Sequence, residues 1–142
     1  MDALAEVTEL RVALTVPEFD EALAFYRDAL GLRQVADWSS AAGRVVLFEA
    51  GRATLELLDE AQATTVDEIE AGQRVSGTVR LALEVRDSES IAGRLVAAGA
   101  AEVAPPVTTN WGDRNARVRA PDGMQLTLVT APALRGDKSD ES

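Results

Sequence analysis

From Leu10 to Val16 the chain alternates, Val12, Leu14 and Val16 against Arg11, Ala13 and Thr15, and a period of two marks a strand with unlike faces. Pro17 closes it. Between Glu18 and Leu30, the residues Ala22, Phe25, Tyr26, Ala29 and Leu30 recur at helical spacing, and Gly31 follows where a C-cap belongs. That spacing predicts a helix with one buried stripe, Phe25 and Tyr26 on its core side. Three strands are expected next, at Leu32–Trp38, Arg44–Glu49 and Ala53–Leu58, divided by the turn residues of 39–43 and of Gly51-Arg52. Residues 60–76 are acidic, poor in aromatics and contain Gly72. They read as a linker carrying one helical turn at Val66–Glu70.

The pattern then restarts. Val79–Val85 alternates like the first strand, Asp87 or Ser88 can cap a helix running to about Ala98, and Gly99 ends it. Strands are expected at about Glu102–Thr108, Arg114–Arg119 and Met124–Val129, with Pro121-Asp122-Gly123 as the last turn. Leu10-Arg11-Val12-Ala13-Leu14-Thr15-Val16 aligns with Val79-Arg80-Leu81-Ala82-Leu83-Glu84-Val85, each followed by an amphipathic helix ending in glycine. Chance produces one such copy more readily than two with arginine at the same place. The chain is therefore expected to be α+β, with module one at about 8–59, the linker at 60–76 and module two at about 77–130. Residues 1–134 form one domain in this reading, and the charged end, 135–142, is expected to be a disordered tail.

At 142 residues the length suits one domain and one core. No segment approaches the roughly 20 apolar residues of a membrane helix, and MDALAEVTEL has neither a basic start nor an apolar signal core. A cytoplasmic protein without a membrane partner is expected. The formal charge of −10 argues against a nucleic-acid partner, because phosphate binding draws on lysine and arginine. The chain has no cysteine and no histidine, which removes thiolates, imidazole bases and the commonest transition-metal ligands. Any chemistry falls to carboxylates, arginines, lysine, hydroxyls and amides.

Three segments, RVALTVPEFDEALAFYRDALGL at 11–32, VRLALEVRDSESIAGRLVAAGA at 79–100 and NWGDRNARVRAPDGMQLTLV at 110–129, resemble the vicinal oxygen chelate superfamily. This is the group of glyoxalase I, the bleomycin resistance proteins and the extradiol dioxygenases. The resemblance implies two tandem βαβββ modules that form a curved mixed sheet around a cleft, with helices on the convex face. It places Val12, Leu14, Val16, Leu81, Leu83 and Val85 towards the helices, with Leu55 and Leu57. Arg11, Ala13, Thr15, Arg80, Ala82 and Glu84 then face the cleft, with Thr54, Glu56 and Leu58 and with Gln125, Thr127 and Val129.

Metal-dependent members of that superfamily hold a divalent cation with histidine or glutamate at four cleft positions, which correspond here to Arg11, Glu56, Arg80 and Thr127. Only Glu56 is a metal donor of that kind, and two arginines oppose a cation. The resemblance therefore implies a member without metal or other cofactor. Glu56 is expected to pair with Arg11 and Arg80, because an unpaired buried charge costs several kcal/mol. A polar brace between the modules is one reading of that trio. The other is a guanidinium fork offered to a carboxylate, phenolate or carbonyl of a ligand. Trp38 and Trp111 provide flat faces for stacking and complete the candidate ligand set, although packing accounts for Trp38 equally well. Arg114, Arg117 and Arg119 are expected to make surface pairs with Asp113 and Asp122.

Two functions follow from the resemblance. The first is a homodimeric protein that binds a small hydrophobic or aromatic ligand, as in antibiotic sequestration by the bleomycin resistance branch. The second is a metal-independent lyase, isomerase or cyclase with Glu56 as candidate catalytic base and an arginine stabilising an enolate or oxyanion. A cationic neighbour weakens a carboxylate as a base, which ranks this reading second.

Overall fold

The computed structural model describes residues 6–132. Eight strands form, β1 (Val7–Thr15), β2 (Arg33–Asp37), β3 (Val45–Ala50), β4 (Ala53–Leu58), β5 (Val79–Val85), β6 (Ala101–Thr108), β7 (Arg114–Arg119) and β8 (Gln125–Thr130). The helices among the described residues are α1 (Phe19–Leu23, continued by a π-helical stretch Ala24–Ala29), α2 (Glu60–Ala71) and α3 (Ser88–Ala97). The fold is α+β and consists of two βαβββ modules, as the repeat predicts. None of the described helices is long and apolar enough to cross a membrane. The expected tail, 135–142, lies outside the described residues.

The chain divides into two compact units, one of Arg11–Arg80 and the other of Leu81 onward together with the chain up to Leu10. In the first unit the strand order is β2-β3-β4-β1, with β1 parallel to β4 and the other pairs antiparallel. In the second it is β5-β8-β7-β6, with β5 parallel to β8 and the rest antiparallel. Each unit thus sets its strands in the sequence first, last, third, second, so the repeat seen in residues is a repeat of topology.

Alternation sorts the side chains as expected on the helix side. In the first unit Phe19, Val46, Phe48 and Leu57 form a buried cluster against which Leu14 and Val16 pack. In the second, Val85, Ala116, Val118 and Leu128 do the same, joined by Leu83 and Leu126. Each cluster is the apolar face of one sheet under one helix, the arrangement that removes most apolar surface from water.

Two elements differ from expectation. The helix predicted for 18–30 is α-helical only to Leu23, beyond which its hydrogen bonds span five residues instead of four, with the Leu30 amide donating to the Phe25 carbonyl at 2.8 Å. A bond spanning five residues widens the turn and moves side chains off a 3.6-residue stripe. Tyr26 still packs on the core, whereas Phe25 is 59% exposed and is not a core residue. Residues 60–76, expected as a linker with a single turn, instead contain the twelve-residue α2. Asp59 caps it by accepting the Gln62 amide at 2.8 Å, and Gly72 ends it in the left-handed conformation. The buried residues of α2 are Ala63, Val66, Asp67 and Glu70. This i, i+3, i+4, i+7 stripe is half acidic, so hydrophobic periodicity does not reveal it. Thr64, Thr65 and Val66 lower its helix propensity further.

Candidate functional site

Four of the six candidate residues lie in the first unit: Arg11 and Glu56 on the face of its sheet away from the helix cluster, Trp38 just past β2, and Arg80 at the start of β5. Across the ladder Ala13 and Leu47 both stand opposite Glu56, while Arg11 and Glu49 stand opposite Thr54. Side chains in a cross-strand row share a face, and a long side chain reaches the next row diagonally. Arg11 does so: its Nη1 lies 4.0 Å from Glu56 Oε2. Arg80 reaches the same carboxylate from the start of β5, with Nη2 4.0 Å from Oε1. Each oxygen of Glu56 therefore faces a different guanidinium. Both contacts are longer than a hydrogen bond and act as Coulombic pairs. The apolar residues Ala13, Val45 and Leu58 form a buried cluster on this side, and Leu47 is buried as well.

Trp38 joins the group through Arg11, whose guanidinium carbon lies 5.5 Å from the centroid of the indole ring. This is cation–π distance, a contact worth about 0.5–1 kcal/mol when exposed. The backbone holds the ring in place. The Trp38 amide donates to the Val45 carbonyl at 2.9 Å, and Asp37 accepts the Ser39 amide at 2.9 Å. Hydrogen bonds from the Ser39 side chain and then from its backbone keep the Asp37 carboxyl below the ordinary aspartate range. With Arg11 against it, the Trp38 residue is still 47% exposed, leaving area for a further aromatic group.

Thr127 and Trp111 belong to the second unit. Thr127 is buried on β8 opposite Arg117 and Ala82. Trp111 is half exposed in the turn before β7, and its Nε1 donates to Asp113 at 2.9 Å. The first unit therefore brings together Arg11, Trp38, Glu56 and Arg80.

Arg117 corrects the expectation of surface pairing, and Arg114 pairs at the surface with Glu89, not with the expected Asp113 or Asp122. Arg117 is fully buried, and its Nη1 donates to the buried Gln125 at 2.8 Å. Arg114 contacts Glu89 at 3.3 Å and Thr108 at 3.2 Å. The signal was present in Arg114-Asn115-Ala116-Arg117-Val118-Arg119, where Ala116 and Val118 face the core and Arg117 therefore shares a face with Thr127.

The donors suit a divalent cation poorly. Among the described residues no three of histidine, cysteine, aspartate and glutamate gather as a metal site. The one carboxylate at the four candidate positions is already in contact with two cations. Zinc, iron and magnesium each require several nitrogen, sulfur or oxygen donors, which this arrangement does not provide. What it can do is present guanidinium donors beside an indole face and an apolar floor.

The family described as Glyoxalase/Bleomycin resistance protein/Dioxygenase superfamily matches residues 10–128. Among solved structures, methylmalonyl-CoA epimerase from Mycobacterium tuberculosis superposes with a TM-score of 0.65 at 22% identity, over 92% of this chain and 93% of that one. Hypothetical protein BH1468 from Bacillus halodurans C-125 gives 0.64 at 16% identity, over 93% and 94%. A glyoxalase/bleomycin resistance protein/dioxygenase superfamily member from Vibrio splendidus 12B01 gives 0.60 at 14% identity, over 86% and 97%. At these identities the likeness is one of fold. No curated protein matches the chain.

Proposed function

Because the chain belongs to the glyoxalase/bleomycin resistance protein/dioxygenase superfamily, we propose that it is a metal-independent member that binds a small aromatic ligand carrying a carboxylate or phenolate and returns it unchanged, as in antibiotic sequestration. The observation that carries this reading is Glu56 between Arg11 and Arg80, with Trp38 against Arg11. Two guanidiniums facing one carboxylate favour an incoming anion, and the exposed part of the indole favours an aromatic body. Thr127 and Trp111 remain proposed ligand contacts on the second unit. A homodimer and a cytoplasmic location belong to the same proposal, and light scattering on the purified protein reads the first.

The test uses 2-naphthoate as probe and a Trp111→Phe variant, in which Trp38 is the sole indole reporter. Saturable quenching is expected, weaker for the neutral 2-naphthamide and weaker again in Arg11→Met, with the probe recovered intact by mass spectrometry. Equal affinity for the acid and the amide would sink the reading. Chemical conversion of a ligand that disappears in Glu56→Gln would establish the lyase or isomerase alternative instead.

A further inference from the structure

We propose that the buried carboxylate of Asp67 is a positioning residue for Arg80, and that α2 acts through it to set the affinity of the Arg11–Glu56–Arg80 site. The inference rests on the ligand-binding reading above and adds a part of the chain remote from the ligand to it.

Asp67 is 0% exposed. A carboxylate withdrawn from water is tolerated only when it is richly hydrogen-bonded. Here it accepts from the backbone amides of Val75 and Ser76, each at 2.8 Å, from Ser76 Oγ at 2.9 Å and from Arg74 Nη1 at 3.1 Å. Arg74 extends the network, bonding Glu60 at 2.7 Å through Nε and the Gly77 carbonyl at 3.1 Å through Nη2. Every residue from Arg74 to Gly77 is thereby tied to α2, either directly by Asp67 or through the arginine that Asp67 holds. Charge-assisted bonds of this kind are stronger and shorter than neutral ones.

The tied segment leads straight into the site. The Thr78 carbonyl, next along the chain, accepts the Thr15 amide at 2.8 Å at the end of β1. Val79 opens β5, and Arg80 then faces Glu56 at 4.0 Å. Only three residues, Gly77, Thr78 and Val79, separate the Asp67-bound Ser76 from Arg80, so the backbone has little slack in which to absorb a displacement. A Coulombic contact at 4.0 Å changes directly with that displacement. α2 is therefore a clamp on the entry to β5, and β5 carries the second arginine.

A thermodynamic cycle on 2-naphthoate affinity separates positioning from bulk stability. Asp67→Asn is expected to weaken binding about tenfold, equivalent to about 1.4 kcal/mol, while the same change made in an Arg80→Met background has less than about a twofold effect. Ser76→Ala and Arg74→Gln each remove a donor to Asp67, so they repeat the cycle if Asp67→Asn does not fold. Equal losses in both backgrounds, or no loss in either, would overturn the positioning role while leaving the ligand reading intact. If Arg80→Met by itself leaves 2-naphthoate binding unchanged, the ligand reading fails, and this inference with it.

Discussion

Glu56 is the residue whose removal tests the site most directly. In Glu56→Gln the shape is kept and the charge is lost, leaving Arg11 and Arg80 to face a neutral amide. Each guanidinium stands 4.0 Å from the carboxylate, and at an effective dielectric of about 20 a pair at that distance gains about 4 kcal/mol. Desolvation and residual solvent lower the net value. The side chains of Arg80 and Glu56 are 9% and 13% exposed, those of Arg11 and Glu56 21% and 13%. The Arg80 pair is the less screened, so its coupling should be about 2–3 kcal/mol and that of Arg11 about 1–2 kcal/mol. The assay is urea unfolding of Glu56→Gln, Arg80→Met, Arg11→Met and the two doubles, read as double-mutant cycles. The Arg11–Trp38 contact is lost in both Arg11 legs and cancels. Couplings under about 0.5 kcal/mol for both pairs would show that the carboxylate is not shared between the arginines. An Arg11 coupling larger than that of Arg80 would refute the burial argument.

Two further outcomes are expected. A Cβ at Gly43 would lie 2.3 Å from the Gln62 backbone nitrogen, at a φ of +156°, so Gly43→Ala must push the 39–43 turn away from the start of α2. The cost should be about 2–4 kcal/mol, seen as a fall in Tm of roughly 6–14 °C; a change within about 2 °C would show that the turn yields freely. The hydrogen bond from Arg74, ahead of its Coulombic attraction, holds the Glu60 carboxyl below the ordinary glutamate value. A depressed folded-state pKa contributes stability above the unfolded value and loses it as pH falls through the folded one. An NMR titration should therefore find the Glu60 midpoint low in the native protein and restored upward in Arg74→Gln, and an unmoved midpoint would contradict the clamp's geometry.

How legible the protein is from its residues depends on which physical signal each part leaves. Strands declare themselves by a period of two, and β4 and β7 lie where alternation puts them, at Ala53–Leu58 and Arg114–Arg119. Within the site the repeat pairs Arg11 with Arg80, alternation puts Glu56 and Leu58 on one face, and the resemblance to the superfamily implies that this face is the one Arg11 and Arg80 share. The 4.0 Å spacings and the indole against Arg11 could not, because a side chain's reach depends on the strand register, and register is a property of the paired strands.

What the sequence determines by itself is the α+β class and the twofold module, which rest on local periodicity and turn chemistry repeated along the chain, and the family, which rests on the resemblance of the segments at 11–32, 79–100 and 110–129. Tertiary structure decides the rest. Phe25 is solvent-exposed because the helix widens around it. Arg117 is buried because its face of β7 is covered, although its charge suggests the surface. Residues 60–71 are helical because Asp67, Glu70, Ala63 and Val66 find a buried place together. For Arg117 and α2 the deciding factor is burial, to which local pattern has no access, whereas for Phe25 it is a five-residue hydrogen bond that departs from the 3.6-residue period.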